Sequence, residues 1–160
     1  MNPTHLAEYI IVPTLDYLEH LSTASLRLVL GTALMESRAS LVRQLEDGPA
    51  LGIYQMEPAT HDDIWMNWLQ FRPDLANSVL ALRGNWPIGA GAMVGNFFYA
   101  TAMCRIQYLR VPFRLPHWEN AKGMASYWKR WYNTPAGLGK EEEAVEWFQK
   151  AISLTTIQEL

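Results

Sequence analysis

The stretch Leu26-Arg27-Leu28-Val29-Leu30-Gly31-Thr32-Ala33-Leu34-Met35-Glu36-Ser37-Arg38 decides how this chain is read. From Leu26 to Met35 apolar residues fall on almost every side of a helical wheel. Such a segment has no solvent face to offer, so it predicts a buried central helix. Ser22 or Thr23, just upstream, supplies the N-cap. The apolar run stops at Glu36-Ser37-Arg38, which leaves a carboxylate at the end of a buried helix. Partial withdrawal from water disfavours the charged form, raises the carboxyl pKa and keeps the group protonated near neutral pH. A carboxyl in that state suits general-acid chemistry.

Working outward, the pattern stays mostly helical. Leu6, Tyr9, Ile10, Leu15, Leu18 and Leu21 recur at helical spacing, with a kink or break expected at Pro13. Between Glu46 and Pro58 the reading changes. Asp47-Gly48-Pro49 signals a turn, and Gly52-Ile53-Tyr54-Gln55-Met56 reads as a short extended piece. Thr60 to Asp63 resembles a capping box opening a helix that runs to Pro73, with Asp62 and Asp63 as favourable charges at its start. A short helix near Asp74 to Leu82 follows, then a long one from about Pro87 to Arg110. Asn120 to Asn133 reads as a further helix, Gly137 to Gly139 as a loop, and Lys140 to about Leu154 as a helix whose Glu141, Glu142 and Glu143 suit the helix dipole. The fold class expected is mainly α: a helical bundle around a buried central helix, with a small β-hairpin or loop beside a cleft. Residues 1–160 are expected to form a single domain.

With 49% hydrophobic and 18% charged residues, the chain is expected to bury a sizeable core and is excluded from the disordered class. One cysteine, Cys104, excludes an internal disulfide and a cysteine zinc cluster, and His5, His20 and His117 lack metal-ligand spacing. No metal and no cofactor are expected. His61, next to two aspartates, reads as structural rather than as a proton shuttle. The net charge of −3 argues against a dedicated nucleic-acid binder. Yet from Arg105 to Lys140 seven basic residues face a single acid, Glu119, among interleaved aromatics. That segment reads either as a solvated face over an aromatic core or as a face meeting an anionic polymer. The seven Trp and seven Tyr suit a well-anchored core or a groove for sugar rings. The start of the chain lacks the pattern of a signal peptide, and no stretch reaches the roughly 18 uncharged apolar residues of a membrane helix.

Three separate pieces resemble the lysozyme-like superfamily of lytic transglycosylases and goose-type lysozymes. They are Glu36-Ser37 at a helix end, the turn Gly52-Ile53-Tyr54-Gln55 followed by Pro58 and Thr60, and Tyr132-Asn133-Thr134-Pro135-Ala136-Gly137 towards the C-terminus. The Thr134-Pro135 pair departs from the family's commonest form of the third piece. The resemblance implies a lysozyme-like fold and cleavage of the β-1,4 bond between N-acetylmuramic acid and N-acetylglucosamine in peptidoglycan. It implies Glu36 as general acid and Ser37, Tyr54, Gln55, Tyr132 and Asn133 as residues of the substrate site. Two further acids, Asp47 and Glu57, stand near positions where goose-type lysozymes carry a helping carboxylate, and they tilt the expectation towards a hydrolysing muramidase. A lytic transglycosylase leaving 1,6-anhydro ends needs no second carboxylate and is the first alternative. A non-catalytic structural or wall-binding virion protein of the same fold is the second. Expected partners are the glycan strands and other virion or lysis proteins, with neither nucleic acid nor membrane insertion, for a monomer. The expected setting is a bacteriophage endolysin or virion-associated lysin, made in the cytoplasm without a signal peptide and acting on the wall after release.

Overall fold

The computed structural model describes residues 1–44, 48–133, 137 and 139–155. The order begins with α1 (Pro3–Leu6), a π turn (Ala7–Ile11) and α2 (Val12–Tyr17), which run on as one helix. The wide turn sits immediately ahead of Pro13. Proline has no N–H and crowds the carbonyl four residues back, and the π turn relieves both without breaking the rod.

Next comes α3 (Thr23–Ser37), opened by a reciprocal capping box between Ser22 and Ser25. From Ser25 to Leu34 every residue is buried. Gly31 lets the last helix, α8 (Glu141–Leu154), lie directly on α3, because a β-carbon there would sit 2.1 Å from the Phe148 ring. Arg27, buried in the same helix, is satisfied by the Thr155 hydroxyl and carbonyl at 2.9 and 2.7 Å and by the Trp118 carbonyl at 3.1 Å. The expected buried central helix is therefore present, and the protein is mainly helical.

Three expectations are corrected. Helix α4 (Pro58–Asn67) begins at Pro58, ahead of the Thr60 capping box. Proline at the first position presets the helical φ and loses no bond there. Asp62 and Asp63 consequently lie inside the helix. One meets His61, and the other pairs with Arg110. The chain between α4 and Pro73 forms a 3₁₀ turn (Leu69–Phe71), and Pro73 opens α5 (Pro73–Arg83). The long helix expected from Pro87 starts only at Phe97: α6 (Phe97–Leu109) follows a 3₁₀ turn (Ala90–Val94), with Asn96 as its cap. Gly89, at φ 104°, breaks the helical path before it.

The final helical pair is α7 (Ala121–Trp128), continued by a π turn (Lys129–Asn133), and α8. Where a small hairpin or loop was expected, the described residues form a loop held by isolated antiparallel bridges, Arg43 with Leu51 and Leu51 with Met56. They close a tight turn over residues 51–56 beside the C-terminal end of α3.

Candidate functional site

Helix α3 ends at Ser37 because Arg38 adopts the left-handed conformation, φ 56°, returning its N–H to the Leu34 carbonyl. Ser37 then turns inward. Its hydroxyl donates to the Ile53 carbonyl at 2.6 Å and fastens the 51–56 turn to the helix end. The next carbonyl, Tyr54 O, accepts the Tyr132 hydroxyl at 2.8 Å. Gly52 makes the turn fit: at φ 72° a β-carbon would lie 2.6 Å from the Met93 carbonyl oxygen. Gln55, also left-handed at φ 47°, folds its amide back onto the Gly52 carbonyl at 2.9 Å.

Glu36 stands partly buried in this corner. One carboxylate oxygen, Oε1, accepts the indole N–H of fully buried Trp128 at 2.9 Å. Burial pushes the Glu36 carboxyl up to about 7, while the Trp128 hydrogen bond pulls in the opposite direction. No cation contributes to the balance, so desolvation prevails. The Glu36 charge is felt by Cys104, Tyr108 and Tyr132, all of which burial holds well above their ordinary values.

Behind the carboxyl a row of phenols forms the wall. Tyr108 stacks between Tyr127 and Tyr132, with ring centroids 5.8 and 5.4 Å apart. The Thr32 hydroxyl donates to the Leu28 carbonyl, so the Tyr108 hydroxyl donates to Thr32 at 2.7 Å. The row therefore joins α3, α6, α7 and the turn that carries Tyr132. Lys129 adds a staple, donating to Asn133 Oδ1 and to the Gly137 carbonyl at 2.8 Å each.

Glu36, Ser37, the 51–56 turn and Tyr132 thus meet in space, although they are far apart in sequence. Several roles differ from the expected ones. Tyr54 is buried, with its hydroxyl on Thr101 at 2.9 Å, and Ser37 is equally enclosed. Both side chains are buried and hold the corner together, so they sit behind the surface of the cleft. Asn133 serves the Lys129 staple. Gln55 remains partly exposed, with its amide nitrogen engaged within the turn. Glu57 is the exposed N-cap residue of α4 and makes no side-chain cap bond. Asp47 and residues 134–136 lie outside the described residues.

Trp128 is the site residue that sequence reasoning missed. Its position in a helix of aromatics signalled core, and nothing local pointed its indole at Glu36. His61 is structural, as expected. It is buried between Asp62 and the Tyr99 hydroxyl, 2.7 Å from each. Among the described residues no cluster of three or more His, Cys, Asp or Glu side chains is placed to hold a metal, and no helix is long and apolar enough to cross a membrane. The basic segment divides: Arg105 is buried, Arg110 pairs with Asp63, and Arg130 lies over the Trp131 ring. No protein-family model, curated protein or solved structure matches this chain.

Proposed function

We propose that the protein cleaves the glycan strands of peptidoglycan, between N-acetylmuramic acid and N-acetylglucosamine, with Glu36 as the general acid. The observation that carries this reading is the Glu36 carboxyl, partly buried and raised to about 7, at the end of the central helix beside a glycine turn. Below that pH the acid form dominates and can protonate a glycosidic oxygen. As the proton leaves, the Trp128 N–H is already aimed at the oxygen that becomes negative, so the new carboxylate needs no rearrangement to be stabilised. The resemblance of Glu36-Ser37, Gly52 to Gln55 and Tyr132-Asn133 to the lysozyme-like superfamily supplies the substrate class. The setting that suits the reading is a phage lysin, released at lysis or carried in a virion.

Hydrolysis with inversion needs a second carboxylate to activate water. Glu57, whose side chain is exposed, is the described candidate for that role. A lytic transglycosylase is the second reading. What favours it is that Glu57 is exposed at the start of α4, and intramolecular attack by the muramyl 6-hydroxyl needs no second carboxylate. Digestion of purified peptidoglycan followed by mass analysis of the soluble fragments separates the readings. Reducing ends mean hydrolysis, anhydro ends mean transglycosylation, and no release rejects both. Under hydrolysis, Glu57→Gln lowers the rate by about tenfold or more. An unchanged rate in that variant removes Glu57 from the mechanism.

A further inference from the structure

A groove of about 690 Å³ lies away from Glu36, between Ile10 of the N-terminal π turn, the loop after α5 and the start of α6. Its volume falls in the range of small-molecule sites. Its wall is Trp86, whose six-membered ring edge packs against Gly95: a β-carbon there would come within 2.4 Å of the indole. Phe98 adds a second aromatic surface, and both rings remain partly open, 45% and 40% exposed.

The groove is held in shape rather than left to chance. Gly84, at φ 56° and ψ −136°, and Gly89, at φ 104° and ψ −179°, take conformations that glycine alone adopts easily. The Asn96 amide holds the preceding helix end by donating to the Leu82 and Arg83 carbonyls at 2.9 and 3.1 Å. Arg83 lines the groove, and its buried Nε has no hydrogen-bond partner among the described residues. Among the described residues no Asp or Glu lines the groove and Arg83 forms no ion pair, although the whole chain is acidic.

Flat aromatic walls accept the apolar faces of pyranose rings, and a guanidinium selects a carboxylate. We infer that this groove binds an acidic N-acylated saccharide, a second stretch of glycan away from the point of cleavage. The saccharide class rests on the proposed function, whereas the acidic, ring-bearing character of the ligand rests on the groove itself. A second hold on the polymer raises effective concentration at the cleft without new contacts to the scissile bond.

The test is calorimetric titration of the full chain carrying Glu36→Gln, so that no probe is consumed. The probes are the disaccharide N-acetylglucosaminyl-N-acetylmuramic acid, neutral diacetylchitobiose and an alanyl-glutamyl peptide. Two binding events are expected for the acidic disaccharide. One is lost with Trp86→Ala and weakened about tenfold with Arg83→Gln, a variant that leaves the loop glycines and Gly95 untouched. Diacetylchitobiose should fill the groove about tenfold more weakly. A disaccharide isotherm unaltered by both substitutions overturns the inference. So does equal groove binding by the neutral sugar, or by the peptide alone. With Glu36 intact, Trp86→Ala should raise KM on whole walls and leave turnover of short soluble fragments unchanged. Full wall cleavage by Glu36→Gln would reject the proposed catalytic acid while the groove isotherm still stood. An unaltered isotherm with normal cleavage would reject the groove alone.

Discussion

Two clusters in this protein are built from the same materials and differ in whether they are closed. In one, Trp65 donates to the Tyr99 hydroxyl at 2.9 Å, and Tyr99 in turn meets His61, which is held by Asp62. With Asp62 accepting at Nδ1, neutral His61 presents Nε2 as an acceptor, so the Tyr99 proton goes to it. The His61 ring, the Tyr99 hydroxyl and the Trp65 indole N–H then each have a complement. In the other, Trp128 donates to Glu36, which receives no further hydrogen bond from the described residues. The closed cluster is cement, since a fully satisfied buried network has no reason to react. The open one keeps a carboxyl undecided between its two protonation states at neutral pH, which is the condition for moving a proton.

The largest expected effect falls on the open cluster. Glu36→Gln should reduce glycan cleavage by roughly a thousandfold or more while leaving the circular dichroism spectrum intact. Full residual activity would make the two clusters equivalent after all. On the closed side, Tyr99→Phe strands the His61 ring nitrogen and the Trp65 indole together. It should cost about 2–4 kcal/mol in urea unfolding, with specific activity per folded molecule unchanged. A loss of activity at full stability would move Tyr99 into the chemistry.

The same Glu36→Gln substitution has an opposite effect on stability, and its size depends on pH. The folded carboxyl lies at about 7 against an ordinary 4.5, so the folded state holds this proton more tightly than the unfolded chain does. That contribution is fully present below the unfolded value and is lost as pH rises through about 7. The variant should therefore match the parent near pH 4 and exceed it at pH 8 by on the order of 2–3 kcal/mol, read from urea midpoints at the two pH values. The smallest effect is expected from Trp128→Phe. Removing a donor that favours the carboxylate raises the Glu36 pKa, and the alkaline limb of the pH–rate profile should move up by about half a unit to one unit. A shift downward would mean that the indole acts through burial alone.

Both clusters were only half visible in the sequence, and for the same reason. Residues that act on their own neighbours could be read directly. Ser22, one of the two cap residues the sequence offers, caps α3, the apolar run from Leu26 buries it, and Gly52 marks the turn. Local chemistry sets such features within a few positions. Pro58 and Gly89 are local signals too, but an Asp-rich stretch and the proline at Pro87 compete with them as helix starts. Glu36 was legible as a carboxyl at a buried helix end, but its partner was not. Trp128 stands 92 positions away, and any buried aromatic of α7 carried the same signature. The Asp63–Arg110 pair was hidden likewise, since nothing near Asp63 distinguishes a cross-helix partner from a favourable helix-start charge.

The long separations have a further consequence, for the order of events in folding. The Tyr132–Tyr54 and Trp128–Glu36 bonds span 78 and 92 positions, so both close large loops and must follow the local helices. The indole that Glu36 meets comes from α7, so the raised carboxyl depends on a contact 92 positions away. On the proposed function, the acid is therefore complete only once the long-range contacts of the core have closed.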